Sequence, residues 1–139
     1  MVVFRYYLLR SGNHHMWNYW LAVGSLFGMT GVALGAFGAH GLKSRVSEAD
    51  LAIFETATKY QMYHVAALVL VGFLASKFPS GTITAAGYLF TIGTLVFSGS
   101  LYTLVFTGHR WLGAVTPVGG VMLIIGWLLV AISAFRLGS

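Results

Sequence analysis

The side chains able to do chemistry in this chain are few: His40, Tyr60, Gln61, His64, Ser98, Ser100, Tyr102, His109 and Thr116 stand in or beside long apolar runs. Imidazoles with tyrosine and glutamine could close a hydrogen-bonded network, or hold a polar headgroup or a proton-carrying ligand. On a helix turning about 100° per residue, Tyr60, Gln61 and His64 fall within one quadrant together with Ala57. His64 then lies about 6 Å deeper than Tyr60. A polar stripe at such a depth faces protein or water rather than lipid. Each histidine also has a plainer use. His40 beside Gly41 complements the negative end of a helix dipole, and His64 can simply join two helices by a hydrogen bond. His40, His64 and His109 could meet around a metal, or one could ligate haem iron. No H-x-x-x-H or E-x-x-H pair fixes two ligands on one element, so no metal or cofactor is expected. Ser98 and Ser100 lack a G-x-S-x-G turn and a neighbouring Asp, which excludes a nucleophilic serine. The expectation is therefore a binding cluster of His40, Tyr60, Gln61, His64, Ser98, Ser100, Tyr102 and Thr116, and no enzyme.

The elements that position these residues follow from composition. Of 139 residues, 58% are hydrophobic and only 8% charged, against roughly 25% charged in a soluble domain. That is too little polar surface to solvate a globule of this size, so the chain is read as an integral membrane protein. The net charge of +5 is spread over the connecting segments without a basic patch. Attraction to anionic lipid headgroups explains it, and nucleic acid is not an expected partner. The absence of cysteine excludes disulfides and thiolate chemistry.

In chain order, residues 1–16 read as an interfacial tail and 17–136 as an all-α transmembrane domain, a four-helix bundle with spans at about 17–40, 60–76, 82–107 and 117–135. Trp17, Tyr19 and Trp20 form an aromatic belt at headgroup level. Trp17 to Ala39 carries no charge and spans about 34 Å, enough for a hydrocarbon core of about 30 Å. A cleaved signal peptide is the rival reading, since Arg5 and Arg10 precede this run, but the run exceeds the usual apolar core of about 7–15 residues. Gly24, Gly28, Gly31, Gly35 and Gly38 recur three and four apart, which lines one helix face for close backbone approach. Gly41 suits a left-handed position closing the helix. Ser47 followed by Asp50 resembles a capping box, and the second helix is expected from there to about Ser76, its first three turns outside the membrane. Lys77 to Gly81 reads as a turn, and Gly108 to Arg110 as the next break. Pro117 fits the first turn of a last helix capped by Thr116. Trp111 to Val115 is then an irregular piece buried against protein. Four spans leave the basic residues at four a side, so loop charge does not fix an orientation.

The run Gly35-Ala36-Phe37-Gly38-Ala39-His40-Gly41-Leu42 is followed by Phe54 through Thr56-Ala57 to Tyr60-Gln61 and His64. Then come Phe97-Ser98-Gly99-Ser100-Leu101-Tyr102, Arg110-Trp111-Leu112-Gly113, Thr116-Pro117-Val118-Gly119-Gly120 and Gly126-Trp127. This series resembles the small membrane family of unknown function called DUF423 or UPF0382, which has a bacterial inner-membrane branch and an animal branch, the transmembrane protein 256 proteins. The resemblance covers roughly residues 17 to 135. It implies a small multi-pass protein of a bacterial inner membrane or an organelle, and brings no activity and no catalytic residues. The residues themselves suggest a protein acting by helix–helix association, as a homo-oligomer or an accessory subunit of a membrane complex among membrane lipids. The alternative is a small transporter or pocket for a lipophilic or weakly polar ligand, built on His40, Tyr60, Gln61 and His64.

Overall fold

The computed structural model describes the backbone of residues 2–137 and the side chains of residues 17–136. The described chain is helical throughout, with four long helices: α1 (Val2–Phe37), α2 (Glu48–Lys77), α3 (Gly81–Thr107) and α4 (Thr116–Leu137). A π turn, Gly38–Leu42, continues α1, and a 3-10 turn, Arg110–Ala114, precedes α4. Consecutive helices pack side by side, α1 on α2, α2 on α3 and α3 on α4. Three stretches are long and apolar enough to cross a membrane: Trp17–Leu42, Gly81–Thr107 and Arg110–Arg136. The second helix is not among them, because Glu48, Asp50, Glu55 and Lys59 load its first turns and Tyr60, Gln61, Tyr63 and His64 make the next ones polar.

The helix ends follow from short polar signals. Ser47 accepts the Asp50 amide at 3.1 Å and Ser80 accepts the Ile83 amide at 3.2 Å, each meeting an orphan donor of a first turn. Pro79 has no amide hydrogen and stands between α2 and α3. Gly108 closes α3 in the left-handed region, φ 72°, with its amide on the Leu104 carbonyl. That conformation is easy only for glycine.

Three expectations change. Gly41 is not left-handed; among the described residues Gly108 alone has positive φ. The chain instead leaves α1 by widening into the π turn, and Lys43 follows in right-handed helical geometry. Residues 1–16, expected as an interfacial tail, have a helical backbone from Val2 that is continuous with α1, and that expectation rests on side chains outside the described residues. Trp20 is not a headgroup anchor. It is fully buried, its indole against Gly87 of α3, while Tyr19 is exposed. Finally, Trp111 to Val115 is neither irregular nor buried. It is mostly the 3-10 turn, which contains no buried residue, and Trp111 faces outward.

Two clusters of apolar side chains hold the helices together. One gathers Trp20, Leu68, Val71, Ile83, Phe90 and Leu123; the other gathers Leu42, Phe54, Leu104 and Val105 toward the opposite end. In lipid such contacts gain from close packing rather than from exclusion of water. Between the two clusters lie the buried polar side chains Gln61, His64, Thr94 and Ser98.

Candidate functional site

Gln61 is the centre of the polar region. Facing α1 from α2, its Nε2 donates to the Phe27 carbonyl at 2.8 Å and to Thr30 Oγ1 at 2.9 Å. Its Oε1 accepts the Tyr102 hydroxyl of α3 at 3.0 Å. The same Tyr102 oxygen lies 3.1 Å from Thr58 Oγ1, so its one proton has two acceptors to choose between. Thr58 and Thr30 give their own protons to carbonyls one turn back, at Phe54 and Leu26. Every amide proton of Gln61 is thus used. One side chain links three helices.

His64, one turn further along α2, looks elsewhere. Its Nδ1 lies 2.7 Å from the Tyr60 carbonyl and must carry the proton there. Nε2 is left to accept the Trp127 indole N–H of α4 at 3.3 Å. Phe90 and Trp127 flank the imidazole ring. Tyr60 is half exposed and stacks on Phe97, ring centroids 4.5 Å apart. Ser98 donates to the Ala57 carbonyl at 2.8 Å, fastening α3 to α2. Ser100 gives its proton to Phe97 and lies 2.7 Å from Thr116, joining α3 to α4. Thr116, expected as the cap of α4, turns its hydroxyl to Ser100 and back toward Leu112 instead.

The eight candidates are therefore divided. Gln61, Ser98 and Tyr102 come together, Ser100 and Thr116 form a pair at the α3–α4 contact, His64 is enclosed by α3 and α4, and Tyr60 lies apart on Phe97. His40 joins none of them. It is exposed in the π turn, and Gly28 faces Val65 whereas Gly38 faces Phe54. The helices run antiparallel, so His40 and His64 are about 18 Å apart along the axis by helical rise. The expectation that both histidines share one depth does not hold, because α1 stays packed on α2 as far as Phe54, which leaves the end of α1 beside the first turns of α2. His109 is exposed after α3. The glycine row also has a definite partner: Gly24, Gly28, Gly31, Gly35 and Gly38 all meet α2 of the same chain.

Gln61, Ser98 and Tyr102 line a groove between α1 and α3 with a volume of ≈ 200 Å³, together with Phe27, Thr30, Leu34, Thr94, Leu95 and Gly99. Thr30 and Leu95 are exposed and form its open edge. A profile of proteins of unknown function, DUF423, matches residues 34–120. A UPF0382 membrane protein of Staphylococcus aureus (strain bovine RF122 / ET3-1) is 45% identical over 116 residues, covering 84% of this chain and 94% of the relative. The UPF0382 membrane protein YwdK of Bacillus subtilis (strain 168) is 42% identical over 117 residues, 84% of this chain and 95% of its own. The chain belongs to the DUF423 (UPF0382) family. No solved structure matches it. Its relatives are membrane proteins by name and three of its helices can cross a bilayer, so this DUF423 protein is a multi-pass membrane protein.

The matched span of the DUF423 profile contains Gln61, Thr94, Ser98 and Tyr102 but not Phe27 or Thr30. Sequence reasoning missed Thr30, Thr58, Thr94 and Trp127 as members of the polar region. A signal for one of them was present: Thr94, Ser98 and Tyr102 stand four apart on α3, one stripe of a helix.

Proposed function

We propose that this DUF423 protein crosses the membrane four times and binds, rather than converts, a lipophilic and weakly polar molecule in the groove between α1 and α3. The observation that carries the reading is the groove itself, an apolar cleft at the centre of the helices with hydrogen-bonding side chains on its floor. A fourth span is supported by how α2 lies along α1. The contacts run from Trp17 and Leu21 at Gly72 to Gly38 at Phe54, about 27 Å of helix, close to a hydrocarbon thickness of about 30 Å. The turns of α2 before Tyr60 then extend to the edge of the lipid and beyond it, where Glu48, Asp50 and the exposed Glu55–Lys59 pair are hydrated. Irregular or polar surface at membrane depth is tolerated where it lines a cavity, and polar residues there mark ligand paths.

Gly99 lines the groove and a Cβ added to it would meet nothing within 4 Å, so Gly99→Leu has room to be accommodated and should narrow the groove. The test is native mass spectrometry of protein extracted from its own membrane into nanodiscs. Wild type should carry a small adduct that Gly99→Leu has lost. Equal adducts on both, or none on either, would remove the groove from consideration. The same mass reads association as an oligomer or accessory subunit, which needs a face other than the glycine row.

A further inference from the structure

One residue that lines the groove has an enclosed hydroxyl with nothing to bond to. Thr94 is 3% exposed, it lines the groove, and its Oγ1 makes no hydrogen bond in the protein. Its neighbours on α3 behave otherwise: Thr91, Thr103 and Thr107 each donate to the carbonyl four residues back, at 2.9, 2.8 and 2.7 Å. That back-bond is the ordinary way for a threonine to satisfy its proton inside a helix. A buried donor without an acceptor is destabilising, more so in lipid, where no solvent replaces it. We infer that Thr94 is a recognition donor, and that the groove takes a free, uncharged lipophile through a carbonyl oxygen. The inference rests on the groove being a binding site.

Three observations narrow the ligand. No groove residue carries a charge at neutral pH, so an ion at this depth would be uncompensated. The volume of ≈ 200 Å³ is about six or seven water-sized groups and lies below the roughly 300–1,000 Å³ of pockets that enclose whole drug-sized ligands. It accommodates one slender part of a molecule and not two chains or a fused ring system. Depth decides the rest. Thr94 is midway between Gly81 and Thr107, about 20 Å from either end of the helix. A phospholipid ester is held at the interface, roughly 15 Å from the midplane of a core of about 30 Å. The carbonyl must therefore belong to a molecule dissolved in the bilayer interior, such as a quinone or a long-chain ketone, aldehyde or ester. Ser98 and Tyr102 follow Thr94 along α3 at one-turn steps, and they continue the polar stripe from the midplane toward the end at which α2 begins.

The experiment uses the full chain in nanodiscs with a photoreactive medium-chain ketone and the matched alkane lacking the oxygen. Label is located by peptide mass spectrometry. In wild type the ketone should label residues 94–102 about fivefold more than the alkane, the ratio one net hydrogen bond supplies. Thr94→Val should bring the ketone down to the alkane level while Thr94→Ser keeps the preference, with helix content and elution unchanged in both. Gly99→Leu should remove both labels. A short-tailed quinone or a fatty-acid methyl ester should compete, and whichever does so better identifies the source of the carbonyl. Ketone and alkane labelling wild type equally, both blocked by Gly99→Leu, would overturn carbonyl recognition and leave the groove standing. Failure of both competitors to displace the ketone overturns the recognition likewise. No label at the groove, or label that Gly99→Leu does not reduce, overturns the groove and the inference together.

Discussion

Glycine lines the α1–α2 contact and the α3–α4 contact alike, but what faces the glycines differs. At Gly24, Gly28 and Gly35 an added Cβ would lie 3.2, 3.6 and 3.4 Å from side-chain atoms of α2, and at Gly31 it would meet the movable Met62 sulfur at 2.6 Å. At Gly119 it would lie 2.5 Å from the Phe97 amide nitrogen and 2.8 Å from the Gly93 carbonyl oxygen. The first contact is side chain against a smooth face. The second is backbone against backbone, where nothing can move aside. A long glycine row therefore does not mark the tightest approach. Two glycines meeting across a pair of helices do, and here those are Gly93 and Gly119. The α3–α4 contact is rigid, whereas the α1–α2 contact has side chains with room to adjust, and the groove opens along α1.

The largest expected effect follows from that difference. Gly119→Ala should destabilise the protein by about 1–3 kcal/mol, as overpacking a core does, with the backbone contact favouring the upper end. Gly28→Ala should be close to neutral, because its nearest neighbour is in ordinary van der Waals contact at 3.6 Å and alanine favours helix. Thermal unfolding of both variants in one detergent checks the pair. Equal losses would mean that the two contacts are equally tight after all.

Next in size is the polar link across the looser contact. Gln61→Ala removes three hydrogen bonds between helices and should lower stability by about 1–3 kcal/mol. His64→Ala removes one, at 3.3 Å to the half-exposed Trp127, and such bonds average about 0.6 kcal/mol in membranes. Gln61→Ala should therefore unfold at the lower temperature. If His64→Ala were the more damaging, the anchor would lie on the α4 side and Gln61 would be secondary.

The sequence made the elements easier to read than the site. Ser47, Ser80, Pro79 and Gly108 mark ends through chemistry confined to a few neighbours, and Pro117 places the start of α4 within one residue. Gln61 and Tyr102 were legible as a pair of deep polar groups at one end of the helices. What the spacing did not contain was direction. Tyr60, Gln61 and His64 share a quadrant of α2, yet Gln61 turns to α1 and His64 to α4, because that quadrant straddles the line where α2 meets its neighbours. The partner of the glycine row was equally open, since a smooth face suits a neighbouring helix of the same chain as well as a second copy. His40 was misplaced because the register that sets Gly38 beside Phe54 cannot be read from either helix alone. Thr94 looks in sequence like any threonine in an apolar helix, and only its missing back-bond sets it apart.

The smallest effect concerns the pin that ties the two contacts together at one end. Asp50, in the first turn of α2, meets Arg110, which opens the 3-10 turn before α4, through Nη1 to Oδ1 at 2.5 Å and Nη2 to Oδ2 at 3.1 Å. Ser47 adds a hydrogen bond to the same carboxylate at 3.0 Å. The Arg110 hydrogen bonds first, and the one from Ser47 second, hold the Asp50 carboxyl below its ordinary value of 3.8. A carboxylate with a lowered folded-state pKa contributes stability that is complete above its unfolded value and is lost as pH falls through the folded one. Arg110 is well exposed, so the contribution is small and salt weakens it further. Wild type should therefore unfold slightly above Asp50→Asn at neutral pH and low salt, with the gap closing as pH falls below about 4. Melting curves of the two proteins across that range read the gap directly. A gap that persists at low pH would show that the asparagine disturbs the Ser47 cap rather than the pin, and would leave the α1–α2 and α3–α4 contacts joined through Gln61, Ser98, the Tyr102–Thr58 and His64–Trp127 hydrogen bonds and the packed core.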